Sequence, residues 1–400
     1  MTAMNARDVV ISGAGLAGSA LAILLARAGA DVALVDAGRF PRPKLCGEYL
    51  SAEGAAALDR LGLAGDLERL RPHAIDRSRL TLPSGRSIEA PARGPDGRPA
   101  LGLSRSALDA LLVQTATDAG ATLIDQARVG APIVDDARGV VGVTARRADG
   151  STLEVRARVV IAADGRHSSL VKQTGDTRTR ERFRPRLFGL KRHFVVADPE
   201  AGDPEGTVTL HLLPGGYVGS CRVEGGLTNL CGLLPESAVK EARGDLDRLA
   251  DAWFPRNPAL DRLRRAGEPA DAWKTVAGVQ VEASRPRMPG ILYAGDCRGT
   301  VDPLGGQGMT MALLGSELLA PLVLDALTVG AADAALQRRH EAAWHRRFDR
   351  RIRLCGLFHQ TLTRPWLLEG LARLPRLAAM VTAEGFDRTR DPGPLAVVPT

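Results

Sequence analysis

The chain has 400 residues, 44% apolar and 25% charged, with 53 basic against 46 acidic side chains for a net charge of +7. That composition excludes a disordered or collagen-like chain, and the length supports two or three domains, or one large composite, without disulfide or metal staples. The charge admits nucleic acid, an anionic membrane or an acidic ligand as partner, but eight Phe, four Trp and three Tyr are too few for a platform that stacks single-stranded nucleic acid.

Val9, Val10 and Ile11 make a short run of strand type. Leu21, Leu24 and Leu25 sit at helical spacing, Gly29 falls where a helix ends, and Val32 to Val35 is a second strand ending at Asp36. These predict a βαβ opening. A helix is expected over 51–61, then a hairpin within 75–100 turning at Pro83-Ser84-Gly85, with a loop from Pro91 to Pro99. Ser104 is placed to cap a helix over 104–119, and 139–147 pairs with 152–162 around Asp149-Gly150. From about 176 to 275 short strands alternate with Pro-Gly turns and one helix near 237–253, as in a separate sheet domain. Ile291 to Ala294 is a further strand, and the last 65 residues read as helical.

The apolar segment Gly13 to Ala26 has only Arg7 before it, and its glycines explain it better than a signal sequence does. Ala312 to Val329 is interrupted by Glu317 and Asp325, which makes a poor membrane span. Cys46, Cys221, Cys231, Cys297 and Cys355 are odd in number and show no CxxC spacing, so no disulfide framework or zinc site is expected and a cytoplasmic location fits. His340 and His345 are one residue too far apart for an HExxH pair, so no metal is expected there.

The strongest motif is Gly13-Ala14-Gly15-Leu16-Ala17-Gly18. It follows a strand, opens a helix, and is followed by Asp36-Ala37 at the end of the next strand, which is the context of a dinucleotide fingerprint. Gly13 serves the tight turn, Gly15 the approach of a pyrophosphate, and Gly18 the packing of helix on strand. The helix start offers free N–H groups and partial positive charge, and Asp36 is placed to accept from a ribose. Further on, Asp164-Gly165 closes an apolar strand. Gly295-Asp296 closes another, with Pro303, Gly305, Gly306, Gln307, Gly308 and Met309 shortly after.

On these three ordered motifs, residues 1 to about 330 resemble the FAD-dependent oxidoreductases of the aromatic-hydroxylase type, the group A flavin monooxygenases. Geranylgeranyl-reductase-like and halogenase-like flavoproteins are related to these. The resemblance implies an α/β fold: a discontinuous Rossmann-like FAD-binding domain (1–74, 101–175, 276–330), an inserted, mainly antiparallel sheet domain for substrate (75–100, 176–275) and a helical tail (331–400). It implies that Asp296 bonds the ribityl chain, with Gly295 allowing close approach. The Gly305–Met309 loop would open a helix beneath the pyrimidine end of the flavin, and Asp164 and Gly165 would pack near the pyrophosphate. Arg105 matches a family arginine near the phosphates, with a solvated helix start as the alternative. Val129 is placed near the adenine. Lys44-Leu45-Cys46-Gly47-Glu48 resembles a stretch that runs beside the flavin in the reductase-like and halogenase-like branches. Cys46 therefore either lines the active site or is a small buried residue, and Arg39, Arg42 and Lys44 either neutralise phosphate or are surface charges.

No Trp-x-Trp-x-Ile-Pro stretch is present, which disfavours halogenation. The Pro214-Gly215-Gly216-Tyr217 turn lacks the Trp-x-Phe-Pro continuation of prenyl reductases. The expected activity is thus an NADPH- or NADH-dependent monooxygenase that hydroxylates or epoxidises an apolar, aromatic or polyketide-like small molecule. The alternative is a geranylgeranyl-reductase-type enzyme acting on a prenyl or lipid substrate. No second GxGxxG exists to seat the nicotinamide donor, and His193 and His211 are candidate bases in the sheet domain. Arg338, Arg339, Arg346, Arg347, Arg350, Arg351 and Arg353 concentrate charge in the tail, as a solvated face or as a weak contact with anionic membrane. Nucleic acid has no support.

Overall fold

A computed structural model describes residues 2–3, 6–175, 179–180, 187–198, 202–279, 281–330, 333–362 and 369. In chain order the principal elements are strand β1 (Arg7–Ser12), helix α1 (Leu16–Arg27), β2 (Val32–Val35), α2 (Ala52–Arg60), β3 (Arg77–Thr81), β4 (Ser87–Pro91), α3 (Arg105–Asp118), β5 (Thr122–Ile124), β6 (Ala127–Asp135), β7 (Gly139–Arg147) and β8 (Thr152–Ala162). Then come β9 (Leu187–Val196), β10 (Thr207–Leu213), β11 (Gly216–Arg222), β12 (Leu227–Pro235), β13 (Lys274–Val279), β14 (Ile291–Tyr293), α4 (Gly308–Val329) and α5 (Ala334–Leu362).

Two sheets organise these elements. In the first, β14, β8, β1, β2 and β5 lie side by side and all parallel. The near-continuous apolar runs of β1 and β2 suit a parallel sheet covered on both faces. On one side α1 packs with α3 and α4, burying Leu21, Leu25, Leu108, Leu112 and Leu319. The N-terminal half of β8 pairs antiparallel with β7, and β7 with β6, closing a second cluster around Val143, Val155 and Ile291.

The second sheet runs β9, β12, β11, β10, β3, β4, with β13 on the other edge of β9. The β3–β4 hairpin turns where Pro83-Ser84-Gly85 predicts and enters this sheet through a parallel pairing of β3 with β10. The single helix expected near 237–253 is two, Glu236–Glu241 and Leu246–Trp253. The break falls at Arg243 and Gly244, both at positive φ (55° and 80°), a conformation that stops a right-handed helix.

Helix α4 is long and apolar enough to cross a membrane by length and composition. Here it packs against α1, α2 and α5. Helix α5 bears the expected arginines: Arg351 is buried and pairs with Glu53 at 2.7 Å, whereas Arg346, Arg350 and Arg353 are exposed.

Candidate active site

The chain leaves β1 through Gly13 at φ +102°, where a Cβ would stand 2.6 Å from the Ala163 carbonyl oxygen and from Asp164 Cα. A Cβ on Gly18 would stand 1.8 Å from the Gly13 carbonyl oxygen. Both glycines permit close backbone approach, and they bring the first turn against the strand end that carries Asp164-Gly165.

Gly15 does something else. Its Cβ position has Arg105 Nη2 at 3.7 Å and Lys44 Nζ at 3.9 Å, and no backbone against it. Gly15 is also the N-cap of α1, and no side chain caps that end. Two cations and the first-turn N–H groups thus converge on one space, the arrangement that receives a phosphate. Arg105 is held by a bidentate pair to Asp109 at 2.8 Å for each bond. Lys44 has its pKa lowered, by burial first and by the Arg105 charge second, while Asp296 and Asp109 oppose the shift. A cation so crowded gains most from an incoming anion.

This anion site is one end of an open-mouthed cavity of about 1730 Å³ including its mouth. Gly15, Leu16, Ala17, Lys44, Arg105 and Gly165 line the phosphate end. Cys46, Gly295, Asp296, Pro303, Gly305, Gly306, Gly308 and Met309 line it further along. Gly306 takes φ +62° as the chain turns into α4. Gln307 is the N-cap of α4; it is buried, stays off the cavity wall, and its Oε1 has no hydrogen-bond partner among the described residues.

Other expected residues stand back from the cavity. The Asp36 carboxylate accepts from Ala14 N–H at 2.8 Å, Gly38 N–H at 2.7 Å and Arg42 at 2.9 Å, so it braces the fingerprint turn. Ala37 and Arg39 are exposed beyond it. Val129 is buried in the β6–β8 cluster, and its carbonyl accepts from Ser169 Oγ at 2.8 Å. Asp164 bonds the Cys297 thiol at 3.3 Å, and burial raises its pKa despite hydrogen bonds from Ser168 and Cys297.

The opposite wall comes from the second sheet. Leu80, Val208, Leu210, Tyr217, Leu233 and Val279 face the cavity, with Cys221 and Cys231 beside them. A polar seam joins this wall to the Lys44–Glu48 stretch. Glu48 and Lys191 form an ion pair in which both side chains are almost fully buried. His193 Nε2 lies 2.7 Å from the other Glu48 oxygen, and Asn229 donates to the Cys46 carbonyl at 2.9 Å. Sequence reasoning did not single out Glu48 or Lys191. The signal was present: only five lysines occur in the chain, and Lys191 interrupts the apolar run Leu187–Val196. His211 is structural: it bonds Thr81 and Ser220, and burial takes its pKa down to about 4. Among the described residues, no group of three His, Cys, Asp or Glu side chains is placed to hold a metal.

A parallel sheet with a glycine cradle, a buried arginine, a half-buried lysine and a second apolar sheet defines a dinucleotide-dependent redox protein. Residues 6–348 match the FAD binding domain family, and the chain belongs to it. It is an FAD-dependent oxidoreductase. It is 32% identical over 338 residues to the menaquinone reductase of Mycolicibacterium smegmatis, covering 80% of this chain and 77% of that one. It is also 32% identical over 356 residues to digeranylgeranylglycerophospholipid reductase 1 of Methanopyrus kandleri, covering 85% and 86%. Its fold is that of a geranylgeranyl bacteriochlorophyll reductase-like protein from Thermoplasma acidophilum, with a TM-score of 0.80 at 20% identity over 97% of this chain and 96% of that one.

Proposed function

We propose that this oxidoreductase takes electrons from NADPH or NADH and reduces a carbon–carbon double bond in an apolar, prenyl-bearing lipid, working in the cytoplasm. The observation that carries the reading is one cavity running from the Gly15–Arg105–Lys44 anion site to an apolar wall, with Cys46 between them. The two relatives named above are both reductases, which is the support for this reading, while the motifs alone favour oxygenation.

Bound FAD would supply the hydride. Arg105, Lys44 and the start of α1 would hold its pyrophosphate, and Asp296 would hold its ribityl chain. The Gly305–Gly308 turn into α4 presents N–H donors and a helix dipole where negative charge collects. Leu80, Leu210 and Leu233 exclude water and hold the substrate by apolar contact. No second fingerprint seats the nicotinamide, so its donor enters the same open cavity.

Oxygenation is the second reading. The Gly306-Gln307-Gly308-Met309 loop resembles the hydroxylase version, and the β10–β11 turn lacks the prenyl-reductase continuation. An anaerobic experiment separates the two. Protein carrying reduced flavin, mixed with a geranylgeranyl lipid, should turn yellow again without oxygen. Flavin that stays reduced until oxygen is admitted overturns the proposal.

A further inference from the structure

Outside the anion site, four ionisable side chains connect solvent to the cavity wall. Lys274 bonds Asp271; Asp271 Oδ2 lies 3.0 Å from His193 Nδ1; and His193 Nε2 lies 2.7 Å from Glu48 Oε2. Side-chain exposure falls along the series, from 26% and 30% at Lys274 and Asp271 through 12% at His193 to 1% at Glu48. Glu48 lines the cavity.

Glu48 is held with unusual rigour. Its Oε1 accepts from Lys191 and from the Arg105 N–H at 2.9 Å, and its carbonyl accepts from the Leu103 N–H at 3.0 Å. Its backbone sits at φ 57°, a left-handed conformation that costs a residue with a Cβ about 1–2 kcal/mol. An apolar pair of similar volume would anchor the loop at least as well as a buried Glu–Lys pair. Such strain and buried charge gather where a group has a task.

We propose, on the reading of this cavity as a redox site, that His193 and Glu48 carry a proton from solvent to the cavity, with Asp271 and Lys191 as positioning residues. The balance requires one: NAD(P)H, H⁺ and an alkene give NAD(P)⁺ and an alkane. The π bond breaks and two C–H bonds form; the nicotinamide is oxidised and the substrate reduced; the second hydrogen comes from water. Oxygenation by NAD(P)H also takes up one proton. The imidazolium gives its Nε2 proton to Glu48, which passes it into the cavity, and the partly exposed ring reloads from solvent.

The surroundings hold the resting pair as imidazolium and carboxylate, so the ring stays loaded and its transfer to Glu48 is the uphill step. Burial disfavours the charged ring, yet hydrogen bonds to Glu48 and Asp271 leave the His193 pKa raised, against the opposing charge of Lys191. Burial likewise disfavours the Glu48 carboxylate, but His193 and Lys191 leave its pKa lowered. On the cavity side the facing titratable groups are Cys46, Cys221 and Cys231.

The test uses the FAD-loaded protein. His193→Ala should keep its flavin, lose about a hundredfold in turnover, at the lower end of what acid–base groups supply, and recover with added imidazole. Turnover and pH profile like those of the unsubstituted protein, or a loss that imidazole does not restore, would overturn the relay. NMR titration of the labelled histidines is independent of substrate. His193 should titrate above the ordinary histidine value, and lower in Asp271→Asn. Titration at or below the ordinary value overturns the proposal even if the redox reading stands. Failure to turn over any lipid, with His193 titrating high, counts against the lipid substrate and not against the relay.

Discussion

Arg105 Nη2 stands 3.7 Å from the position a Cβ would take on Gly15. That distance is ordinary van der Waals contact, so a methyl at Gly15 meets only two side-chain cations and no backbone. Gly15→Ala should therefore leave the melting temperature of the flavin-free protein nearly unchanged while weakening FAD binding. Gly18→Ala has no such room, with the Gly13 carbonyl oxygen 1.8 Å away, and should lose about 1–3 kcal/mol or more. Equal destabilisation by the two substitutions, in parallel thermal melts, would contradict the cradle.

Lys44 and Arg105 differ in what holds them. Arg105 is paired with the fully buried Asp109, so Arg105→Ala strands a carboxylate and should cost about 3–5 kcal/mol. Lys44 is half-buried beside a like charge, so Lys44→Ala should leave the flavin-free protein as stable as before, or more so. Its cost appears in FAD affinity: losing a charge-assisted bond of about 1.5–3 kcal/mol means a loss of roughly tenfold or more, read by quenching of flavin fluorescence. Unchanged affinity would remove Lys44 from the site.

His211 sets an acid limb of stability. Its folded pKa, about 4, lies below its unfolded value, so the unfolded state binds the proton first. Its contribution is complete above pH 6.5 and is lost as pH falls towards 4, amounting to about 2 kcal/mol between pH 7 and pH 5. His340, pressed by burial to about 3, acts in the same direction. Urea denaturation should show His211→Gln with a shallower slope over this range; an unaltered slope would contradict the assignment.

The charge of α5 is divided. Arg351 and Arg347 face Glu53, while Arg346, Arg350 and Arg353 share an exposed face near Leu357, which is 60% exposed. Each exposed arginine is worth about 1 kcal/mol at an anionic surface. Replacing the three with Gln should release the protein from anionic vesicles in sedimentation by tenfold or more, with no change on neutral ones. Binding insensitive to the three would assign this face to solvent.

The parallel sheet and the anion site were legible because each rests on local chemistry. A glycine turn, a following helix and an acid at the next strand end occupy one short window, and Gly13 and Gly18 behave as their spacing implies. Asp36 shows the limit of such reading. Its position was legible, but its bonds to Gly38 and Arg42 depend on how the following loop folds back. Glu48 is far in sequence from Lys191 and His193, neighbours on β9, and meets them only because β9 lies against the Lys44–Glu48 stretch. Pattern within a window does not report such contacts. The broken helix at Arg243-Gly244 went unread because the arginine takes positive φ, which residue type does not announce.

On the proposed function, electrons leave this cavity into a carbon–carbon double bond. The most direct measurement is the mass of the product formed from a geranylgeranyl lipid with NADPH under ¹⁸O₂. The expected product has gained two hydrogens for each bond reduced and carries no ¹⁸O. A product carrying ¹⁸O would contradict it and establish oxygenation at the same site.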